Sequence, residues 1–382
     1  MLANKKMAQA KKILFLTGTR ADFGKLKSLM LALHRDQDFE LHVFVTGMHM
    51  LAKYGYTCEE VYRIGFSNIY KFINQNVNDG MDQILAKTIH GLSDYVREIQ
   101  PDLFIVHGDR VEALAGATVG ALNNILTAHI EGGEVSGTID ELIRHAVTKM
   151  SHVHFVANQA AQRRLIQLGE QEDAIHVIGS PDVDVMNSSS LPSLDEVRRH
   201  YQISFLKYSI LAFHPVTTEV EKLREQTRTM LDALERSERN YVVIYPNNDL
   251  GAEIILDEYE RITSHPRFKI FPSMRFEYFL SLLKHADFMI GNSSASVREA
   301  PHFGVPAVNL GSRQHNRVMS SLVVNADLTP IGIDVAIRNA VALPREAECL
   351  FGDGDSARHF LKILTDENFW RHPKQKHFID LH

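Results

Sequence analysis

LFIVHGDRVEALAGATVGALNNILTAHIEGG, residues 103–133, is the stretch on which the fold turns. An apolar run at 103–106 stops at His107-Gly108-Asp109-Arg110. Residues 111–122 then read as a helix, and a second apolar run at 125–130 stops at Glu131-Gly132-Gly133. Both runs are continuous rather than alternating, as a parallel sheet covered on both faces requires. Strand, helix and parallel strand make a βαβ unit.

The unit recurs in both directions. Apolar runs at 13–16, 41–45, 154–156 and 175–178 alternate with helical stretches at 25–34, 81–99 and 139–150. Ser-Ser-Ser-Leu-Pro-Ser at 188–193 breaks the texture and reads as a linker. The alternation then resumes, with runs at 209–213, 241–245, 268–271, 288–290 and 305–310 and helices near 220–237, 253–263, 276–285 and 294–303. A chain of 382 residues suits two or more domains at ~150 residues each. The expectation is an α/β protein of two doubly wound parallel-sheet domains, 1–187 and 188–382, facing across a cleft. The last helical stretch, 356–365, is expected to pack back across the junction.

Composition narrows the classes. With 45% hydrophobic and 23% charged residues, 22 Gly and 12 Pro, the chain reads as globular. A net charge of -6 gives no overall basic field, so no nucleic-acid partner is expected. No run approaches the ~18 apolar residues of a membrane helix. Residues 1–12 read as a polar, basic leader, and the run at 13–16 is too short for a signal-peptide core. Cys58 and Cys349 suggest neither a disulfide framework nor zinc, which fits a cytoplasmic protein. The 20 histidines follow no ligand spacing, so no metal is expected.

Ligands of open parallel sheets sit at the carboxyl ends of the strands, so the residues just past each run are the candidates. Gly18-Thr19-Arg20 enters a helix, whose N-terminus can hold an anion beside Arg20. It is neither GxGxxG nor a Walker loop. Asp109 and Arg110 pair an acid and a base, although Asp109 equally suits a helix cap. Glu131, Glu134 and Asp140 can gather with Asp109 at one sheet edge, where clustered carboxylates separate into acids and bases. Arg144 stands four residues after Asp140, which is also the spacing of a plain helical ion pair. In the second half, His214 suits phosphate binding or proton transfer. Asn247 follows the next strand. Gly291, Ser293 and Ser294 open a small-residue turn that can aim N–H groups at a diphosphate, with Glu299 beyond for ribose hydroxyls and Arg313 as a phosphate clamp.

Together, TGTRADFGKL (17–26), HGDRVEAL (107–114), HIEGGEVSGTIDELIRHA (129–146), FHPVTT (213–218), YPNND (245–249), GNSSASVREA (291–300) and GVPAVNLGSRQ (304–314) resemble the hydrolysing branch of the UDP-N-acetylglucosamine 2-epimerases. The resemblance runs from near the start to about residue 314. It implies a GT-B fold of two Rossmann-like domains, with UDP held mainly by the second. It implies conversion of UDP-N-acetylglucosamine and water to N-acetylmannosamine and UDP through 2-acetamidoglucal, the start of sialic-acid synthesis, with no cofactor. Asp109, Glu131 and Asp140 are implied as the acids and bases, and a homodimer as the assembly. Non-hydrolysing relatives carry Thr where this chain has Arg110, and a Gln-His pair where it has Met48-His49; both departures favour the hydrolysing branch. A sibling epimerase acting on a UDP-diacetamido-trideoxyhexose, a retaining glycosyltransferase and a non-catalytic UDP-sugar-binding protein are the rival readings.

Overall fold

The computed structural model describes residues 10–76, 79–136, 138–314 and 320–380, so most of the expected leader lies outside the described residues. The first half runs β1 (Lys11–Thr17), α1 (Arg20–His34), β2 (Phe39–Val45), α2 (Cys58–Arg63), β3 (Asn68–Lys71), α3 (Met81–Ile99), β4 (Leu103–His107), α4 (Val111–Leu122), β5 (Leu126–Ile130), α5 (Ile139–Met150), β6 (Val153–Val156), α6 (Gln159–Gln167), β7 (Ile175–Val177) and α7 (Pro181–Met186). The second runs α8 (Leu194–Tyr201), β8 (Ser209–Ala212), α9 (Leu223–Arg236), β9 (Tyr241–Ile244), α10 (Ala252–Tyr259), β10 (Phe268–Phe271), α11 (Phe276–Lys284), β11 (Met289–Gly291), α12 (Glu299–His302), β12 (Ala307–Leu310), β13 (Val323–Ala326), α13 (Pro330–Ala342) and α14 (Ser356–Leu364).

Among the described residues these strands form two parallel sheets, seven strands in the order β3-β2-β1-β4-β5-β6-β7 and six in the order β10-β9-β8-β11-β12-β13. The continuous apolar runs are explained by burial on both faces. Ile13 and Phe15 of β1 pack with Leu26 and Leu29 of α1, while Leu14 and Leu16 pack with Leu92 of α3 and Ala115 of α4. In the second sheet Leu211 packs with Leu234 and Ile337, and Ile210 with Val197 and Leu283. Full burial of each such side chain contributes ~1.5–3 kcal/mol. The strand order reverses between β1 and β4, and again between β8 and β11. Crevices open at the carboxyl ends of strands at such switch points.

α14 crosses back to the first sheet. Phe360 and Leu364 sit in the same core as Ile13 and Phe15, and the Phe360 ring meets that of Phe155 edge-on at 4.9 Å. The polar stretch at 188–193 joins α7 to α8 without regular structure.

Two helix expectations are corrected. The first helix begins at Arg20, not near residue 25. Thr19 caps it, accepting the Asp22 N–H, and Asp22 reaches back to the Thr19 N–H at 3.1 Å. The stretch 294–303 is not one helix: a 3₁₀ turn at Ser294–Ser296 is followed by the four residues of α12. Pro301 lacks the N–H a continuous helix needs there. β3 and β13 are short, partly exposed edge strands whose sequences, NIYK and VVNA, hold too few apolar residues to form a run. Among the described residues no helix is long and apolar enough to cross a membrane.

Candidate active site

A cleft of about 330 Å³ lies between the carboxyl ends of the two sheets. Its walls include Arg20, Asp109, Arg110, Glu131, Asp140 and Arg144 from the first domain, and His214, Asn247, Ser293, Ser294, Glu299 and Arg313 from the second. Glu134 and Gly291 stand behind the wall. Glu134 pairs with Arg298 at 3.5 Å. Gly291, at φ 130°, packs so closely on β8 that a Cβ would lie 2.1 Å from the Ala212 carbonyl oxygen. Its role is to let the strands close, not to line the cleft.

The first-domain wall is built on strained and tightly held turns. Glu131 follows β5 with φ 66°, an uncommon backbone for a residue with a Cβ. The Arg144 guanidinium donates to the Glu131 carbonyl at 2.5 Å and pairs closely with the Asp109 carboxylate. The helical Asp140–Arg144 pair that the spacing also allowed is not made: Asp140 turns across the cleft to Arg313, 3.1 Å away. His129, fully buried, donates from Nε2 to the Gly108 carbonyl at 2.9 Å and meets the Thr148 hydroxyl through Nδ1 at 3.1 Å. Burial pushes its imidazole down to about 3, so it stays neutral and fixes the Gly108-Asp109 turn.

The carboxylates are held apart in acidity. Burial would raise Glu131, but Arg298 at 3.0 Å, Lys25 at 3.5 Å and His107 at 3.5 Å hold it well below the usual carboxylate range. Asp140 is raised, first by burial and then by neighbouring Asp109, against the pull of Arg313. Environments that separate two carboxyl groups in this way suit one as base and the other as acid.

The second-domain wall is built around His214. Asn292 clasps the His214 backbone, accepting its N–H at 2.7 Å and donating to its carbonyl at 2.8 Å. His214 Nδ1 accepts the Asn247 N–H at 3.0 Å, which leaves the proton of the neutral ring on Nε2. Burial, then Arg313 and Arg110, push this imidazole well below its ordinary value. His214 is thus a hydrogen-bond donor rather than an imidazolium. Asn247 supports it from the main chain, while its side chain donates to Asp249. Arg20 bridges the domains, bonding Ser273 and Glu60 at 2.7 Å each. Arg110 does the same through Asn248 at 2.7 Å.

Sequence reasoning passed over Lys25, Arg298 and Asp182, which form a buried charge array with Glu131 and Glu299. Lys25 lies within 3.5 Å of Glu131, Asp182 and Glu299. The available signal was a charge on an apolar helix face: Lys25 stands four residues before Leu29, on the face that α1 buries. In the Met48-His49 pair, Met48 lines the cleft, but His49 is fully buried on Thr17 and Thr57 at 3.1 and 2.6 Å. Among the described residues no group of three or more His, Cys, Asp or Glu side chains is arranged to hold a metal ion.

The family described as UDP-N-acetylglucosamine 2-epimerase matches residues 31–365. The chain belongs to the UDP-N-acetylglucosamine 2-epimerase family. It is 49% identical over 375 residues to a UDP-N-acetylglucosamine 2-epimerase of Neisseria meningitidis serogroup B, covering 97% of this chain and 99% of that one. It is 34% identical over 361 residues to a Legionella pneumophila protein named UDP-N,N'-diacetylbacillosamine 2-epimerase (hydrolyzing), covering 93% and 95%. The crystal structure of the Methanocaldococcus jannaschii UDP-GlcNAc 2-epimerase, in complex with UDP-GlcNAc and UDP, superposes with a TM-score of 0.77 at 22% identity, covering 93% of this chain and 99% of that one. That likeness establishes the fold of this family member, two Rossmann-like domains in a GT-B-like arrangement.

Proposed function

We propose that the protein is a hydrolysing UDP-N-acetylglucosamine 2-epimerase, converting UDP-N-acetylglucosamine and water to N-acetylmannosamine and UDP. One observation carries the reading: Asp109, Glu131 and Asp140 face His214, Ser293, Ser294 and Arg313 across one cleft. The 49% identical Neisseria protein supports the sugar, and the hydrolysing 2-epimerase of Legionella supports hydrolysis. Asp109, Glu131, Asp140 and His214 are the proposed catalytic residues, with Arg20, Arg110, Arg144, Ser293, Ser294, Glu299 and Arg313 lining the substrate site.

The C2 proton of the sugar has no adjacent carbonyl, so elimination is the accessible route. A carboxylate takes the C2 proton, the C1–O bond breaks and UDP leaves with the bonding pair, giving 2-acetamidoglucal. Arg20, Arg313, the His214 Nε2–H and the amides at Ser293 and Ser294 stabilise the departing diphosphate. Water then adds its oxygen to C1, and a carboxyl group delivers a proton to the opposite face of C2, which inverts it. Glu131, held ionised, suits the acceptor; Asp140, raised, suits the donor. The reading places the enzyme in the cytoplasm, as a homodimer, at the start of sialic-acid synthesis.

NMR in deuterated water with UDP-N-acetylglucosamine tests it. Free N-acetylmannosamine carrying deuterium at C2 is the expected product. Release of a UDP-sugar, or turnover only of a UDP-diacetamido-trideoxyhexose, would overturn the assignment.

A further inference from the structure

Asp182 lies on α7, where the chain leaves the first sheet, and its side chain is 1% exposed. It is absent from the cleft wall and touches no ligand space. A buried carboxylate is costly to desolvate and persists where it is paired. Its Oδ2 stands 3.4 Å from Lys25 Nζ and 3.3 Å from the Arg298 guanidinium. On their other side both cations meet the same oxygen of Glu131, at 3.5 and 3.0 Å. The order is carboxylate, two cations, carboxylate. Arg298 arrives from the second domain and also donates to Ser180 at 2.6 Å, so its anchorage lies in α7 and the residue before it.

Lys25 of α1, His107 at the end of β4 and Arg298 before α12 face its carboxylate. Arg144 of α5 holds its carbonyl. Asp182, Glu299 on Lys25 and Glu134 on Arg298 supply the opposing negative charge. Two uncompensated cations would repel one another and leave Glu131 too weak a base to remove a carbon-bound proton.

We propose that Asp182 is a positioning residue: from the side away from the cleft it clamps Lys25 and Arg298 together and offsets part of the positive charge that they press on Glu131. This rests on Glu131 as a proton carrier in the function proposed above. Asp182→Asn removes one like charge from the array, so Glu131 releases its proton at lower pH and becomes a poorer base.

The test is kcat and KM against pH for the full chain with UDP-N-acetylglucosamine, alongside a Glu131→Gln control. Asp182→Asn is expected to lower plateau kcat by about 10–100-fold with KM little changed, and Asp182→Glu, which keeps the charge, to recover most of it. Lys25→Met removes a cation 3.5 Å from Glu131 and is expected to move the acid limb of the kcat profile to higher pH, which reads the array even if Asp182→Asn fails to fold. Native kcat in Asp182→Asn, a loss that Asp182→Glu does not recover, or an acid limb unmoved in Lys25→Met overturns the proposal. Normal turnover by Glu131→Gln would instead sink the acid–base reading beneath it.

Discussion

Glu131 shows how backbone and charge converge on one side chain. Its left-handed φ of 66° costs of order 1–3 kcal/mol and aims the carboxylate at Lys25 and Arg298. Asp109→Asn and Glu131→Gln are each expected to lower turnover by about 10²–10⁴-fold, while calorimetry still detects UDP binding; near-normal turnover in both would remove them from the chemistry. Gly291 is a structural counterpart. Gly291→Ala sets a Cβ against the Ala212 carbonyl and should destabilise by ~2 kcal/mol or more, read as a lower denaturant midpoint. Asp109, Glu131, His214 and Arg313 were legible as cleft residues because each follows a recognisable strand end, and Asp140 because it opens the helix after one. Lys25 and Arg298 were not, because a charged residue in a helical stretch reads as surface until its partners are known. Those partners, Glu131 and Asp182, are distant in sequence.

Helices α1 and α14 carry the next level of organisation. The capping box at Thr19 and Asp22 sets the start of α1, placing Arg20 in its first turn and Lys25 on its buried face. α14 closes the first core from the far end of the chain. Phe360→Ala would open a cavity among Phe15, Phe155 and Leu26, at ~3–5 kcal/mol; a thermal melt of the full chain should show the loss, and an unchanged midpoint would mean α14 adds little. The helices at 81–99, 111–122 and 139–150 are observed with those same bounds, because each is long and amphipathic or densely apolar. The stretch at 294–303 resisted the same reading because Pro301 interrupts the bonding pattern.

The two domains are tied across the cleft by Asp140–Arg313, Arg20–Ser273 and Arg110–Asn248. A diphosphate entering beside Ser293 competes with Asp140 for Arg313. Arg313→Ala should therefore weaken UDP binding by about 10–100-fold, the worth of a charge-assisted bond, with calorimetry as the readout; unchanged affinity would exclude Arg313 from the phosphate site. Acid stability belongs to the whole chain. His49 and His129, fully buried, titrate at about 4 and about 3 in the folded protein, against 6.5 for the unbiased ring. Below pH 6.5 the unfolded chain binds protons the folded one refuses. Stability thus falls as pH is lowered from 7 to 5, by about 2 kcal/mol for each such histidine. Denaturant midpoints at the two pH values check this, and equal midpoints would contradict it.

The repeating βαβ pattern was set by local chemistry: continuous apolar runs, amphipathic stretches and turn residues act over a few neighbours, so they are readable one segment at a time. The carboxyl ends of the strands followed from that pattern, and with them most of the cleft wall. What had to wait for the folded molecule was the pairing of charges. Asp140 passes over Arg144, four residues away, for Arg313 in the other domain, and Lys25 is buried by acids from three separate elements. Such choices depend on which charges lose water together, and that is settled by packing between segments far apart along the chain.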